Sequence, residues 1–344
     1  MKTAMKWIVR LGLGALVLGV IGLGVFWYYF IPSKPGRPTH LTGTLEWREM
    51  EHDGVRRTYK LYIPEKLAEH PAVVFAFHGA RSTGQRIRVG WAFGLDDRAD
   101  ELGALVVYPD GVEKHWNDCR GGLGSLETRQ RNTDDVGYVL ALADALEQEF
   151  GIDRSMIFAT GFSNGGAMVY RLSRDAPGFL RAIAPVSAAQ EYPGNDICDS
   201  PVRPIDIFLT AGTQDLFLPP DGGDQEWLWM NYGALHSPDV TIRQWADRDG
   251  YAGEEPRRSD LADVRTDDDT RVEVSEWDDP GKPLVRYYKV IGGGHAIPNP
   301  KMHYPRWFGA TNADFFHGHA AWDFFLEVAK RGAPDAALAH SDVK

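Results

Sequence analysis

The chain has 344 residues, of which 43% are hydrophobic and 25% charged, an ordinary globular composition that excludes wholesale disorder. Its net charge of −11 offers no basic stripe to neutralise phosphates, which excludes nucleic acid as a partner. The length allows two average domains, yet α/β folds of this size often form one, and no internal repeat divides the chain.

The first residues differ in kind from the rest. Lys2, Lys6 and Arg10 precede an uncharged, apolar run over 11–31, long enough to cross a bilayer. Basic residues on its N-terminal side predict that this end is cytoplasmic and that the remainder lies on the periplasmic or extracellular side. A cleaved signal sequence is the competing reading, with Gly22-Leu23-Gly24 as a small-x-small site. The cluster Phe26-Trp27-Tyr28-Tyr29-Phe30 favours an uncleaved anchor, because such side chains suit a membrane interface better than a mature N-terminus. A stiff, Pro-rich linker is expected over 32–41. One folded domain should follow over 42–332, with a frayed tail over 333–344.

Strands alternate with helices along that domain. Residues 44–50 and 57–63 read as two strands joined by a turn at Asp53-Gly54. Short, fully apolar runs at 72–77, 104–108, 156–160, 182–186 and 205–210 read as buried parallel strands. Helical patterns fall between them at 91–102, 134–150 and 164–175, with a later one at 241–249. Residues 253–270 are very polar and read as an exposed loop. A strand over 285–291 and a helix over 312–330 close the domain. The alternation predicts an α/β architecture: a mostly parallel, doubly wound sheet with helices on both faces.

Between the strand at 156–160 and the helix at 164 lies Gly161-Phe162-Ser163-Asn164-Gly165. In that context G-x-S-x-G has a mechanical meaning. The serine occupies a sharp turn at the carboxyl edge of the sheet, and only small neighbours let strand and helix pack beside it. Ser163 is therefore the candidate nucleophile. Such a serine needs a base, and the base an orienting acid. Chain order on an α/β-hydrolase fold is Ser, acid, His. Asp215 comes first after the strand at 205–210 and is the expected acid, with Asp221 and Asp224 as runners-up. Asp206 begins that strand and should lie at the opposite edge. His295 follows the strand at 285–291 on a Gly-rich, flexible loop and is the expected general base. After the strand at 72–77 comes His78-Gly79-Ala80. The backbone N–H groups of Ala80 and Asn164 are the expected oxyanion donors, and His78 is expected to brace the loop.

These motifs together resemble the polyhydroxybutyrate depolymerase and feruloyl esterase family of secreted serine esterases. Phe77-His78-Gly79 resembles its oxyanion loop, and Gly94-Leu95-Asp96 through Tyr108-Pro109-Asp110-Gly111 its first crossover. Trp116-Asn117 matches a Trp-Asn signature, and Asp134-Asp135-Val136-Gly137-Tyr138 a helix start. The nucleophile turn through Met168, Ala184-Pro185-Val186-Ser187, Gly212-Thr213-Gln214-Asp215 and Gly292-Gly293-Gly294-His295 match as well. The resemblance spans roughly 44–330, and its motifs are specific jointly rather than singly. It implies an α/β-hydrolase fold and hydrolysis of carboxylic esters through an acyl-enzyme, with no cofactor. Two departures stand out. Ala80 occupies a position where the family often has Cys, and 296–308 replaces the family's Trp-Pro-Gly after the histidine.

Three further expectations concern the surroundings. Trp116 and Asn117 should reach the mouth of the site, where Trp116 either stacks on a sugar or aryl ring of the substrate or simply packs. Trp307, with Phe308 and Tyr304, is expected as an aromatic wall over His295, or else as an ordinary packed loop. Cys119 and Cys198, the only cysteines, are expected to pair after export, with two free thiols as the alternative. His303, His317 and His319 match no metal-ligand spacing and read as surface histidines, so no metal is expected. The substrate is expected to be an exported or extracellular ester, such as polyhydroxyalkanoate oligomers or feruloyl and acetyl esters. A serine peptidase on the same fold and a non-catalytic binding relative stay open as alternatives, and a metal-dependent hydrolase stands behind them for want of a ligand set.

Overall fold

The computed structural model describes residues 2–332 apart from 34, 37, 39, 92, 124, 125, 228 and 229. The expected tail over 333–344 and parts of the linker, Lys34 and Arg37 among them, lie outside the described residues. The first element is α1 (Lys2–Phe30). Within its span Met5–Phe30 an 18-residue window has a mean hydropathy of 2.2 and no buried share, so it is long and apolar enough to be a signal anchor or a signal sequence.

β1 (Thr44–His52) and β2 (Val55–Ile63) form an antiparallel hairpin. Asp53 and Gly54 turn it with φ of 50° and 68°, the left-handed pair that matches strand twist. β3 (Val73–Phe77) is buried along its whole length. α2 (Gly84–Gly90), for which no helix is expected, is followed by α3 (Gly94–Leu102), which falls within the helix expected over 91–102. Phe93 sits between them at φ 63°, which breaks the helical path. β4 (Leu105–Pro109), the short α4 (Glu127–Gln130) and α5 (Asp135–Phe150) lead to β5 (Ile157–Phe162) and α6 (Asn164–Asp175). β6 (Ala182–Val186) and β7 (Asp206–Gly212) complete the buried parallel centre.

Beyond β7 the chain departs further from expectation. A separate two-stranded hairpin, β8 (Gly223–Trp227) and β9 (Met230–Leu235), stands beside the sheet. α7 (Pro238–Ala246) starts earlier than 241, because Ser237 caps it and Pro238 fits its first turn. The polar stretch 253–270 is not loop throughout. β10 (Arg257–Asp260) pairs there with β11 (Arg271–Trp277). All four residues of β10 are exposed, as suits a short, charged edge strand. β12 (Val285–Ile291) and α8 (His317–Lys330) end the described chain.

Ten strands form one sheet in the order β1-β2-β4-β3-β5-β6-β7-β12-β11-β10. Its centre is parallel and its two margins are antiparallel. Two apolar clusters cover its faces. One packs α5, α6 and α7 residues such as Leu142, Val169 and Trp245 against the strands, and the other packs α3 and α8 residues such as Leu95, Trp322 and Phe325. This is the α/β-hydrolase fold, and it sets the carboxyl ends of β5, β7 and β12 along one edge, where ligands of such sheets bind.

His317 corrects the expectation of a surface histidine. It is fully buried, with ring centroids 5.0 Å from Trp91 and 5.1 Å from Phe208. Its Nδ1 lies 3.2 Å from the Thr210 hydroxyl. Desolvation lowers its pKa to about 3, so the ring is neutral in the fold and becomes charged more readily when unfolded. Stability from this group is present above the unfolded value near 6.5 and is lost as pH falls from there toward 3. Urea midpoints measured from pH 7 down to about 3.5 should therefore fall, and His317→Phe should make that fall shallower than in the parent chain.

Cys119 and Cys198 are joined in a disulfide across 79 residues. It ties the loop after β4 to the loop before β7, and it engages both thiols of the one cluster of potential metal donors among the described residues, Cys119, Asp196 and Cys198. Closing a loop of this length constrains the unfolded chain by about 4 kcal/mol in the chain-entropy account. Cys198→Ser should lower unfolding stability by about 2–4 kcal/mol, and reduction of the parent chain should do the same, both read from urea titrations.

Candidate active site

Strand β5 ends and α6 begins around a single strained residue. Ser163 has φ 55° and ψ −119°, a conformation that L-residues rarely adopt and that turns persist in only when their surroundings over-determine them. Here sterics do so. A Cβ on Gly161 would strike the Gly165 carbonyl, and one on Gly165 would strike the Phe77 carbonyl, so neither position accepts a larger residue. The Ser163 N–H donates to the Val186 carbonyl at 2.9 Å. Asn164 fastens the first turn of α6 from the other side. Its Oδ1 accepts the Trp116 N–H at 2.9 Å and its Nδ2 donates to Asp118 at 2.6 Å.

His295 and Asp215 come together. The His295 Nδ1 and an Asp215 carboxylate oxygen are 2.7 Å apart, and both side chains are buried. The other Asp215 oxygen accepts the N–H groups of Phe217 at 2.8 Å and Leu218 at 3.0 Å, which fixes the carboxylate's direction. An Nδ1–H donating to Asp215 leaves Nε2 as the basic ring nitrogen. Phe162, Phe217 and Phe308 surround the imidazole, with centroids 4.7, 4.9 and 6.2 Å away. Asp206 lies at the start of β7, bound to Arg181 at 2.6 Å and to the Leu284 N–H at 2.7 Å, and Asp221 and Asp224 belong to the turn and hairpin beyond.

The Gly292-Gly293-Gly294 loop is not a flexible tether. Gly294 N–H donates to the Ala310 carbonyl at 2.8 Å, His295 N–H to Phe308 at 2.7 Å, and Gln214 N–H to Gly293 at 2.8 Å. Its glycines serve close approach, since a Cβ on Gly294 would strike the Phe308 carbonyl. The loop thereby holds His295 against the segment that carries Asp215.

Ser163 and His295 line one cavity of about 860 Å³, within the range of small-molecule sites. Ala80 and Asn164 line it as well. The neighbouring amides of Arg81 and Ser163 are committed to the Lys114 and Val186 carbonyls. His78 braces this loop. Its Nε2 accepts the Gly111 N–H at 3.0 Å, its Nδ1 lies 2.8 Å from the Gly79 carbonyl, and burial lowers its pKa to about 4. It is thus a neutral spacer.

Trp116 and Asn117 correct the expectation of substrate contact. Trp116 is fully buried, and its indole N–H donates to the His78 carbonyl at 2.9 Å. It packs edge-on against Phe77 at 5.1 Å. Asn117 is equally enclosed. Its N–H donates to Asp135, itself paired with Arg57 at 2.6 Å, and its side chain donates to the Thr133 carbonyl. Both residues brace the floor beneath the Ser163 turn rather than its mouth. Trp307, Phe308 and Tyr304 do line the cavity, and Trp307 packs on Phe308 at 4.1 Å. Asp118 is a residue that sequence reasoning passed over. It anchors Asn164 and pairs with Arg120 at 2.5 Å, and its place between the Trp-Asn signature and Cys119 was the available signal.

No family model matches the chain. Curated relatives are esterases. The chain is 25% identical to the putative esterase NocK of Nocardia uniformis subsp. tsuyamanensis, over 81% of this chain and 82% of that one. It is 28% identical to a probable feruloyl esterase C of Aspergillus niger, over 58% and 72%. Among solved structures, the acetyl xylan esterase from Aspergillus awamori superposes with a TM-score of 0.52 at 18% identity, over 75% of this chain and 96% of that one, a likeness of fold. Feruloyl esterases thus recur among the relatives, in line with the resemblance carried by the motifs.

Gly165→Ala tests the strained turn directly. It should remove hydrolytic activity and lower stability by about 2–3 kcal/mol through overpacking against the Phe77 carbonyl, read as lost turnover together with a lower urea midpoint.

Proposed function

We propose that this chain, whose relatives are esterases and feruloyl esterases, is a serine carboxylic-ester hydrolase that works through an acyl-enzyme outside the cytoplasm. The hydrogen bond between His295 and Asp215, on the wall of the cavity that Ser163 also lines, carries the proposal. Ser163 Oγ attacks the ester carbonyl and passes its proton to His295 Nε2. The tetrahedral oxyanion is held by the Ala80 and Asn164 N–H groups, each worth about 3 kcal/mol of barrier. The ester C–O bond then breaks, and the leaving alkoxide takes the proton from His295. Water repeats the sequence on the acyl-serine and releases the acid. Asp215 keeps the imidazole in the productive tautomer and stabilises its charged form. No metal, redox partner or organic cofactor enters these steps.

Export rests on α1. Its basic N-terminal flank and aromatic C-terminal cluster support an uncleaved, single-pass anchor with the domain on the periplasmic or extracellular face. The candidate substrates on the strength of the resemblance are polyhydroxyalkanoate oligomers and feruloyl or acetyl esters.

Hydrolysis of p-nitrophenyl acetate by the full chain provides the test. Ser163→Ala should reduce kcat by at least about 1000-fold, and Asp215→Asn by about 10,000-fold at neutral pH through the wrong tautomer. Unchanged turnover in Ser163→Ala would remove Ser163 as nucleophile. Chelator should leave the rate unaltered. The intact chain should sediment with membranes after a salt wash, and a soluble, shortened chain would mean that the segment is cleaved.

A further inference from the structure

The wall of the cavity is completed by the segment that leaves α1. Pro32 and Ser33, two and three residues beyond the helix, line the same cavity as Ser163 and His295. The junction is tied down. Ser33 N–H donates to the His303 carbonyl at 3.2 Å, and the His303 N–H donates to Ser33 Oγ at 2.7 Å. One turn earlier, the Arg306 guanidinium donates to the Tyr28 carbonyl at 3.1 Å and lies 4.1 Å over the Tyr28 ring. Phe30 packs toward Trp307, a lining residue, at 6.2 Å.

These contacts fix the height of the cavity relative to a bilayer. Residues 26–30 form an exposed aromatic belt, and such belts settle at headgroup level. A rise of about 1.5 Å per helical residue, or about 3.3 Å in extended chain, puts Pro32 within roughly 7 Å of that belt. The ester linkages of lipids lie at the same boundary between headgroup and acyl chain. The cavity also suits such a guest. Phe162, Phe217, Met302, Trp307 and Phe308 give it an apolar surface. At about 860 Å³ an acetyl group would leave most of it empty, whereas a long acyl chain would fill it and displace water from apolar side chains.

We infer that the cavity takes its substrate from the membrane in which α1 sits: a lipid-borne ester with a long acyl chain, drawn from the outer leaflet past the Pro32–Ser33 junction and the Trp307 wall. This rests on the serine-esterase reading above. It places the anchor in the substrate path, as one side of the binding site, rather than as a mere tether.

The full chain is reconstituted in vesicles of non-hydrolysable ether-linked phosphatidylcholine and phosphatidylglycerol. Two probes are compared: p-nitrophenyl acetate in the aqueous phase and p-nitrophenyl palmitate dissolved in the bilayer. Palmitate in the protein's own vesicles should be cleaved at least about tenfold faster than palmitate in separate vesicles, because anchoring raises effective concentration. The rate should follow its mole fraction in the bilayer. Insertion of about 20 Gly/Ser residues between Phe30 and Ile31, a spacer reaching about 25 Å, should cut palmitate cleavage about tenfold and spare acetate cleavage, which also reports that the domain is folded. Equal cleavage of palmitate from both vesicle populations, or a spacer variant with both rates intact, would overturn the inference and leave the esterase standing. Failure of the parent chain to cleave either ester would remove the esterase reading and the inference together.

Discussion

A serine held at φ 55° and ψ −119° costs on the order of 1–3 kcal/mol in backbone strain, and the surrounding structure exists largely to impose it. Gly161 and Gly165 allow β5, α6 and the Phe77 carbonyl to approach more closely than any side chain would permit. The side chain of Asn164 reaches back to the loop after β4, where Asp118 and the Trp116 N–H hold it. That loop is in turn fixed by Asp135 at the head of α5 and by the disulfide at Cys119. Distortion at one residue is therefore balanced by contacts from four separate segments. The same enclosure keeps the hydroxyl at the sheet edge, where the ends of β7 and β12 deliver Asp215 and His295.

What could be read from the sequence divides along the range of the forces involved. The strained turn at Ser163 is legible because its constraint is local: small residues flanking a serine between an apolar run and a helical pattern have few other uses. Asp215 and His295 are legible because buried parallel strands are short, apolar and easily bounded, so the first carboxylate and the histidine beyond them land at a known edge. His317 was misplaced for the opposite reason. Its burial comes from Trp91 and Phe208, more than a hundred residues away in sequence, and no local pattern announces such a pocket. Trp116 and Asn117 were placed at the right end of the sheet but at the wrong depth, since proximity to a strand end does not say whether a side chain turns toward solvent or beneath the loop. The hairpin of β8 and β9 and the edge strand β10 carry little apolar alternation. They form because a neighbouring strand or loop offers hydrogen bonds, with Leu235 at the end of β9 packing into the core.

The segment after His295 shows how a departure in sequence becomes a feature of the site. Residues 296–308 supply Met302, Tyr304, Trp307 and Phe308 to the cavity wall, and the carbonyl of Phe308 receives the His295 N–H. The same segment receives α1, through His303 and Arg306. One short stretch thus positions His295, lines the cavity and docks the apolar helix. A change made there for the sake of α1 would alter the cavity, and the reverse holds as well. That coupling gives a physical reason for a wall built from large aromatic side chains at this place. They pack against a buried imidazole on one side and against the segment that leaves α1 on the other, and large rings fill both surroundings.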